Sequence, residues 1–403
     1  MDRYEDPERP LHYRYKSVNR SLIDKYLLDR WWSFAIKAIP LWMPANFVSI
    51  AGNVGSWLAF ILLAGLHLGP SALGGHPPSW VFLVAALCVA FYHTLDALDG
   101  KQARRTKSSG PLGEFVDHWF DSFNAFLLPL GLILAFPSLT APAALALVYL
   151  FVAADFLKLE EVRKTGVLVF DAISADEGVF LNILLLLAIG FFGYDFWARP
   201  LVLGLSPIEL LLVIGAGCLL VVCARCLAAT GGFRRLAVEA GFLAPIAVWT
   251  ILAEPSMGRP ALLLGSLLLG FTASRFSGEL LRERLMGLEY SWFPPDLAAL
   301  DAALLATVLL PGISARVVGA VGAAALVWTL LALVLQFLKA VTRVEDVLGI
   351  GLFGPVERES RGFVFTFRGR RGREEKAMPA FVHRVRRSYE RTQDAIRDLI
   401  RRS

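Results

Sequence analysis

Apolar residues come along this chain in long uninterrupted runs, not in the alternation of a strand or the three-to-four spacing of a surface helix. Ten runs approach spanning length, at about 46–67, 79–98, 115–136, 140–157, 177–193, 207–229, 237–253, 260–277, 295–311 and 317–338. Crossing a bilayer core takes roughly 20 apolar residues in a helix, with about 17 as the lower limit. The pattern therefore predicts an all-α, polytopic membrane protein of about ten transmembrane helices. Residues 20–42, RSLIDKYLLDRWWSFAIKAIPLW, mix apolar and basic positions around a Trp pair and predict an amphipathic helix lying in the membrane interface. Residues 1–20 are polar and charged, so no cleaved signal peptide is expected.

Composition agrees: 56% of the 403 residues are hydrophobic and mean hydropathy is +0.56. Charge adds orientation. Lys101, Arg104, Arg105 and Lys107 follow the second run, Arg163 and Lys164 the fourth, Arg234 and Arg235 the sixth, and Arg282 and Arg284 the eighth. Intervening loops carry none or a single arginine (Arg199, Arg259, Arg316). The positive-inside rule then places both termini, and the loop after the second run, in the cytoplasm. A net charge of +5 would also suit nucleic acid, but its alternation between loops marks topology instead, and no nucleic-acid partner is expected. The organisation expected is a cytoplasmic segment over 1–45, a membrane domain over 46–342 and a basic cytoplasmic tail over 343–403. In that tail GFVFTF suits a short strand, and 379–402 suits a basic surface helix. Cys218, Cys223 and Cys226 lie in an apolar run and read as buried membrane cysteines rather than a metal cluster.

The chemistry concentrates at DALDGKQARRTKSSGPLGEFVDHWFD, residues 96–121, where two apolar runs meet a basic loop. Asp96, Asp99 and Ala103 share one helical face; Gly113, Asp117 and Asp121 share a face of the next helix. Ser108, Ser109, Gly110 and Pro111 favour a tight reversal, so the acidic faces can converge. A carboxylate at mid-membrane costs roughly 2.5–3.5 kcal/mol on insertion scales. Four of them call for a compensating cation, and hard oxygen donors suit Mg²⁺ or Mn²⁺, with enough ligands for two ions. Gly100 and Ala103 leave room for a bulky ligand near the backbone, and Arg104 can pair with phosphate oxygens. An interhelical ion-pair network is the plainer alternative for the same spacing.

The spacing D-x2-D-G-x2-A-R-x8-G-x3-D-x3-D matches the signature of the CDP-alcohol phosphotransferase family at Asp96, Asp99, Gly100, Ala103, Arg104, Gly113, Asp117 and Asp121. The surrounding LDGKQARRTKSSGPLGEFVDH, and HYRYKSVNRSLID upstream, resemble its choline/ethanolamine phosphotransferase branch. PANFVSIAG does too, although Ala45 separates Pro44 from Asn46. The resemblance implies a cytoplasm-facing chamber in which Asp96, Asp99, Asp117 and Asp121 hold two ions. Asp121 would be the general base, with His118 assisting proton transfer, binding phosphate or only supporting the site. It implies a CDP-ethanolamine or CDP-choline donor, a diacylglycerol or related neutral-lipid acceptor, CMP release and a homodimer. The membrane would be endoplasmic reticulum or Golgi in a eukaryote and the inner membrane in a bacterium. Asn46 and Ser49 are candidates for the nucleotide or for helix capping, and Lys101 and Gln102 for the nucleotide's approach path. Glu177, opening the fifth run, reads as an extra site carboxylate or as a helix N-terminal charge.

The stretch 155–177 departs from the branch: DFLKLEEVRKT stands where polar and aromatic residues are usual, and Trp119-Phe120 replaces a small residue and a cysteine. The head group is therefore left open. Choline wants an aromatic cage, while Glu160 and Glu161 lean toward a cation with N–H donors or toward no ligand at all. Two rivals stand beside this reading: a CDP-diacylglycerol-dependent transfer to a polyol such as inositol, and an ion or solute transporter.

Overall fold

The computed structural model describes residues 6, 8–21, 23–69, 77–136, 138–170, 175–349 and 351–353, without the side chain of residue 170. The strand and helix expected in the tail beyond 353 lie outside the described residues. All ten apolar runs form helices: α2 (Ala45–Leu68), α3 (Ser79–Thr106), α4 (Pro111–Ala135), α5 (Ala141–Thr165), α6 (Ala175–Phe192), α8 (Pro207–Thr230), α9 (Phe233–Met257), α10 (Arg259–Met286), α11 (Pro295–Leu309) and α12 (Ala315–Leu348). Two short helices complete the set: α1 (Asp29–Ala35) and α7 (Tyr194–Ala198). Two three-residue strands, β1 (Ser17–Asn19) and β2 (Leu168–Phe170), pair in parallel with Ser17 opposite Leu168. The protein is an all-α polytopic membrane protein.

Nine of these helices are long and apolar enough to cross a membrane. The exception among the ten is α11, whose 15 residues give a length of about 22 Å at 1.5 Å per residue. Prolines bound it: Pro294 and Pro295 open it, and Pro311 follows its end. It still carries the chain back across the bundle. Gly287, after α10, accepts a hydrogen bond from the Asp6 amide at 3.1 Å, and Leu352, after α12, accepts one from the Asn46 side chain at 3.0 Å. Both helices thus end at the N-terminal side of the bundle, and α11 runs between them.

α4 is buried along nearly its whole length and forms the axis, packed by α2, α5 and α10. α2 lies close on α3 because Gly52 and Gly55 face it: a Cβ on Gly55 would stand 2.6 Å from the Cys88 carbonyl oxygen. A buried polar ladder ties α2 to α4. Asn124 donates to Asn53 Oδ1 and Ser56 to Asn124 Oδ1, both at 2.6 Å, which suits helices that gain little from apolar contact in lipid. Gly55→Ala should therefore wedge α2 from α3 and cost about 1–3 kcal/mol. Gly65→Ala, whose Cβ meets nothing within 4 Å, should not. Thermal unfolding of the two variants in detergent checks this; equal midpoints would refute it.

The interfacial segment is helical but broken, a π-helical turn over Asp24–Leu28 running into α1 and a 3-10 turn at Ile36–Ala38. Leu28 and Trp32 face inward, while Tyr26, Leu27, Trp31 and Phe34 are exposed. The four cysteines are free thiols, and Cys223 and Cys226 pack with Ala154 and Leu157 between α8 and α5. Glu160 and Glu161, expected to lean toward a head-group cation, are engaged by basic side chains of the protein itself. Arg163 grips Glu160 at 2.6 and 2.8 Å, Lys158 holds Glu161 at 2.8 Å, and Glu283 takes Arg163 and Arg235, knitting α5, α9 and α10 together.

Candidate active site

The reversal between α3 and α4 is built by its sequence. Lys107 closes α3 in the left-handed region (φ 55°), the Ser108 amide bonds the Ala103 carbonyl at 2.9 Å, and Pro111 opens α4 at a position where no amide is needed. The helices return side by side with Asp96 and Asp99 on α3, Asp117 and Asp121 on α4, and the four carboxylates within electrostatic reach of one another. Ser49 of α2 donates to Asp99 Oδ2 and so belongs to this carboxylate set. Asn46, one turn earlier, lies against Gly113: a Cβ there would be 3.6 Å from its Oδ1. Gly100 is likewise open, its missing Cβ 3.5 Å from Arg104 Nη1, and Arg104 is exposed. Ala103 is half-buried behind them.

The tightest grouping is Asp117, His118 and Asp121, each with a ligand atom within 4.8 Å of the others. His118 Nδ1 stands 3.7 Å from Asp121 Oδ2, and its Nε2 is buried without a partner. Asp96 and Asp99 lie outside that grouping, on the facing helix. Among the described residues none of the four aspartates has a lysine or arginine ion pair. Acid collected this densely, with an orphaned imidazole nitrogen beside it, fits a divalent cation better than an interhelical ion-pair network.

Three expected positions serve elsewhere. Lys101 is paired with Asp29 of α1 at 2.7 Å and lies over the Trp32 ring. Gln102 is fully buried and donates to the carbonyls of Pro40 and Met43 at 2.9 and 2.8 Å, fastening the interfacial segment to α3 rather than lining an approach path. Glu177 accepts from Ser21 at 2.5 Å and stands with Asp24 and Asp176, as part of a separate acidic group.

Other residues join the site without having been expected. Tyr92, one turn before Asp96, donates to Asp121 Oδ1 at 3.2 Å. Asp155 of α5, held by Ser277 at 3.0 Å, bears electrostatically on Asp121 and His118; Glu239 of α9, fully buried with neither carboxylate oxygen partnered, bears on Asp155. The N-terminal segment forms the outer rim. Tyr13 donates to Glu114 at 2.7 Å, while Arg284 pairs with the other oxygen of that carboxylate. Tyr15, 44% exposed, is hydrogen-bonded through its hydroxyl to Ser17 and lies within electrostatic reach of Asp117 and Arg104. Burial of that hydroxyl first, and the Asp117 charge second, push Tyr15 up to about 12. Burial and then Glu114 raise Tyr13 as well, so both rim phenols stay neutral donors at physiological pH.

The four aspartates and His118 fall inside residues 42–203, which match the sequence profile of the CDP-alcohol phosphatidyltransferase family. The chain carries a CDP-alcohol phosphatidyltransferase domain. It is 34% identical over 195 residues to a CDP-alcohol phosphatidyltransferase class-I family protein of Dictyostelium discoideum, covering 47% of this chain and 48% of that one. It is 43% identical over 110 residues to choline/ethanolaminephosphotransferase 1 of Arabidopsis thaliana, covering 27% and 28%. It is 31% identical over 211 residues to cholinephosphotransferase 1 of Gallus gallus, covering 51% and 61%. The chain thus spans less than two thirds of the length of these relatives. The matched domain runs from the start of α2 through α7 and contains every aspartate of the cluster.

Proposed function

We propose that the protein transfers a phospho-alcohol head group, phosphoethanolamine or phosphocholine, from a CDP-alcohol to the hydroxyl of diacylglycerol or a related neutral lipid, releasing CMP. The observation that carries this reading is the convergence of Asp96, Asp99, Asp117 and Asp121 beside the small-residue floor of Gly100 and Gly113. The curated relatives named as choline- and ethanolaminephosphotransferases support it over transport and over transfer to a polyol.

Mg²⁺ or Mn²⁺ held by the four aspartates would neutralise the diphosphate and steady the attacking and leaving oxygens. Arg104 and the open backbone at Gly100 receive the phosphates and the nucleotide. A lipid hydroxyl is a weak nucleophile at neutral pH, and Asp121 takes its proton as the oxygen attacks phosphorus and CMP departs. Tyr92 and His118 hold that carboxylate at 3.2 and 3.7 Å. The reaction needs no covalent enzyme intermediate. The mouth, ringed by the N-terminal segment and the ends of α10 and α12, would face the cytoplasm with both termini, and the active unit would be a homodimer.

A donor–acceptor panel tests the reading. Purified protein with metal should release CMP from CDP-ethanolamine or CDP-choline only when diacylglycerol or a related neutral lipid is added. CMP released from CDP-diacylglycerol with inositol, and from neither CDP-alcohol, would favour the polyol reaction instead.

A further inference from the structure

Beside Asp96 lies a second acidic group that the transfer step does not use. His93, one turn before Asp96 on α3, places its Nε2 3.6 Å from Asp176 Oδ1 at the start of α6. Asp176 bears electrostatically on both Asp96 and Asp24, and Glu177 on Asp24. Asp24 is only 5% exposed; Asn19 donates to its Oδ2 at 2.8 Å, and its Oδ1 is buried with no hydrogen-bond partner. Ser21, donating to Glu177 and accepting from the Asp24 amide, fixes the two acids relative to each other. Among the described residues neither Asp24 nor Asp176 has a lysine or arginine partner. Burial, and then the Asp176 charge, hold Asp24 above the ordinary carboxylate range.

An orphaned acceptor among three carboxylates needs a donor, and two kinds of cation differ in how they would meet it. A compact metal ion draws its ligand atoms close together, yet among the described residues the only such grouping is Asp117, His118 and Asp121. A quaternary ammonium has no N–H and would leave Asp24 Oδ1 unmet, preferring aromatic faces. A primary ammonium carries three donors and can reach several acceptors spaced more widely. Asp176 also bears on Asp96, and His93, one turn before Asp96 on α3, reaches Asp176 at 3.6 Å, which sets this acidic group next to the carboxylates that would hold the metal.

We propose that Asp24, Asp176 and Glu177 form the subsite for a primary ammonium on the head group being transferred, making the protein selective for ethanolamine-type over choline-type donors. The inference rests on the CDP-alcohol reading above. Losing one charged hydrogen bond, about 1.5–3 kcal/mol, corresponds to roughly 10- to 100-fold in affinity. The test uses the full chain in detergent with metal and diacylglycerol, measuring CMP release from CDP-ethanolamine and CDP-choline, with displacement of bound CMP as a separate readout. Asp24→Asn and Asp176→Asn should each lower kcat/KM for CDP-ethanolamine by about tenfold or more, chiefly through KM, with a smaller change for CDP-choline and CMP affinity retained. Both variants keeping the wild-type ratio between donors would overturn the subsite. A wild-type measurement needs no variant: phosphoethanolamine should inhibit more strongly than phosphocholine, and the reverse order overturns the proposal. Wild-type protein that binds CMP but turns over neither donor would overturn the transfer reading and the subsite with it.

Discussion

Asp121→Asn should abolish CMP release while the protein still binds CMP. Asparagine keeps the shape of the side chain and an oxygen able to accept the Tyr92 hydroxyl, now 3.2 Å away, but it cannot take a proton from an alcohol. Loss of a general base typically lowers turnover by about 10²–10⁴-fold, which puts the variant near background. Asp96→Ala should behave differently. It removes an oxygen donor from the wall opposite Asp121, and both turnover and CMP binding should fall. Parallel CMP-release and CMP-displacement assays separate the two effects. Turnover near wild type in Asp121→Asn would exclude that carboxylate as the base and direct attention to His118, whose Nε2 is buried and unpartnered.

Removing divalent cations should be as damaging. With excess chelator, CMP release should drop to background, and Mg²⁺ or Mn²⁺ should restore it. A readout independent of activity follows from linkage. A ligand that binds only the folded protein stabilises it by about 2.7 kcal/mol at a hundred times its Kd. The metal alone should thus raise the thermal midpoint of the wild type, and Asp117→Asn should shrink that rise. Unchanged CMP release under chelation would mean that the aspartates meet their electrostatic cost in some other way.

Most of the site's position was legible in the chain because charge inside an apolar run is costly and therefore conspicuous. Helical periodicity put Asp96 with Asp99, and Asp117 with Asp121, and the Ser-Ser-Gly-Pro reversal brought the pairs together. The same logic, applied to single acids, would have flagged Asp155 and Glu239, each the lone charge within its apolar run. Periodicity would also have flagged Tyr92, which precedes Asp96 by four residues. Lys101 and Gln102 illustrate the opposite limit. Their place beside the motif suggested the nucleotide, but what they touch depends on where the interfacial segment docks, a tertiary fact with no local signal. Run length foretold ten helices, and only the prolines around 295–309 hinted that one would be short.

The parallel pairing of β1 with β2 has a consequence for biogenesis. Ser17 is synthesised well before its partner Leu168, which follows only after α5 has been made. The β1 stretch must therefore wait, unpaired, while four membrane helices are made, and it pairs afterwards. A nascent chain arrested before Leu168 would have all four aspartates in place under an unfastened rim, open to water and to stray cations until translation resumes.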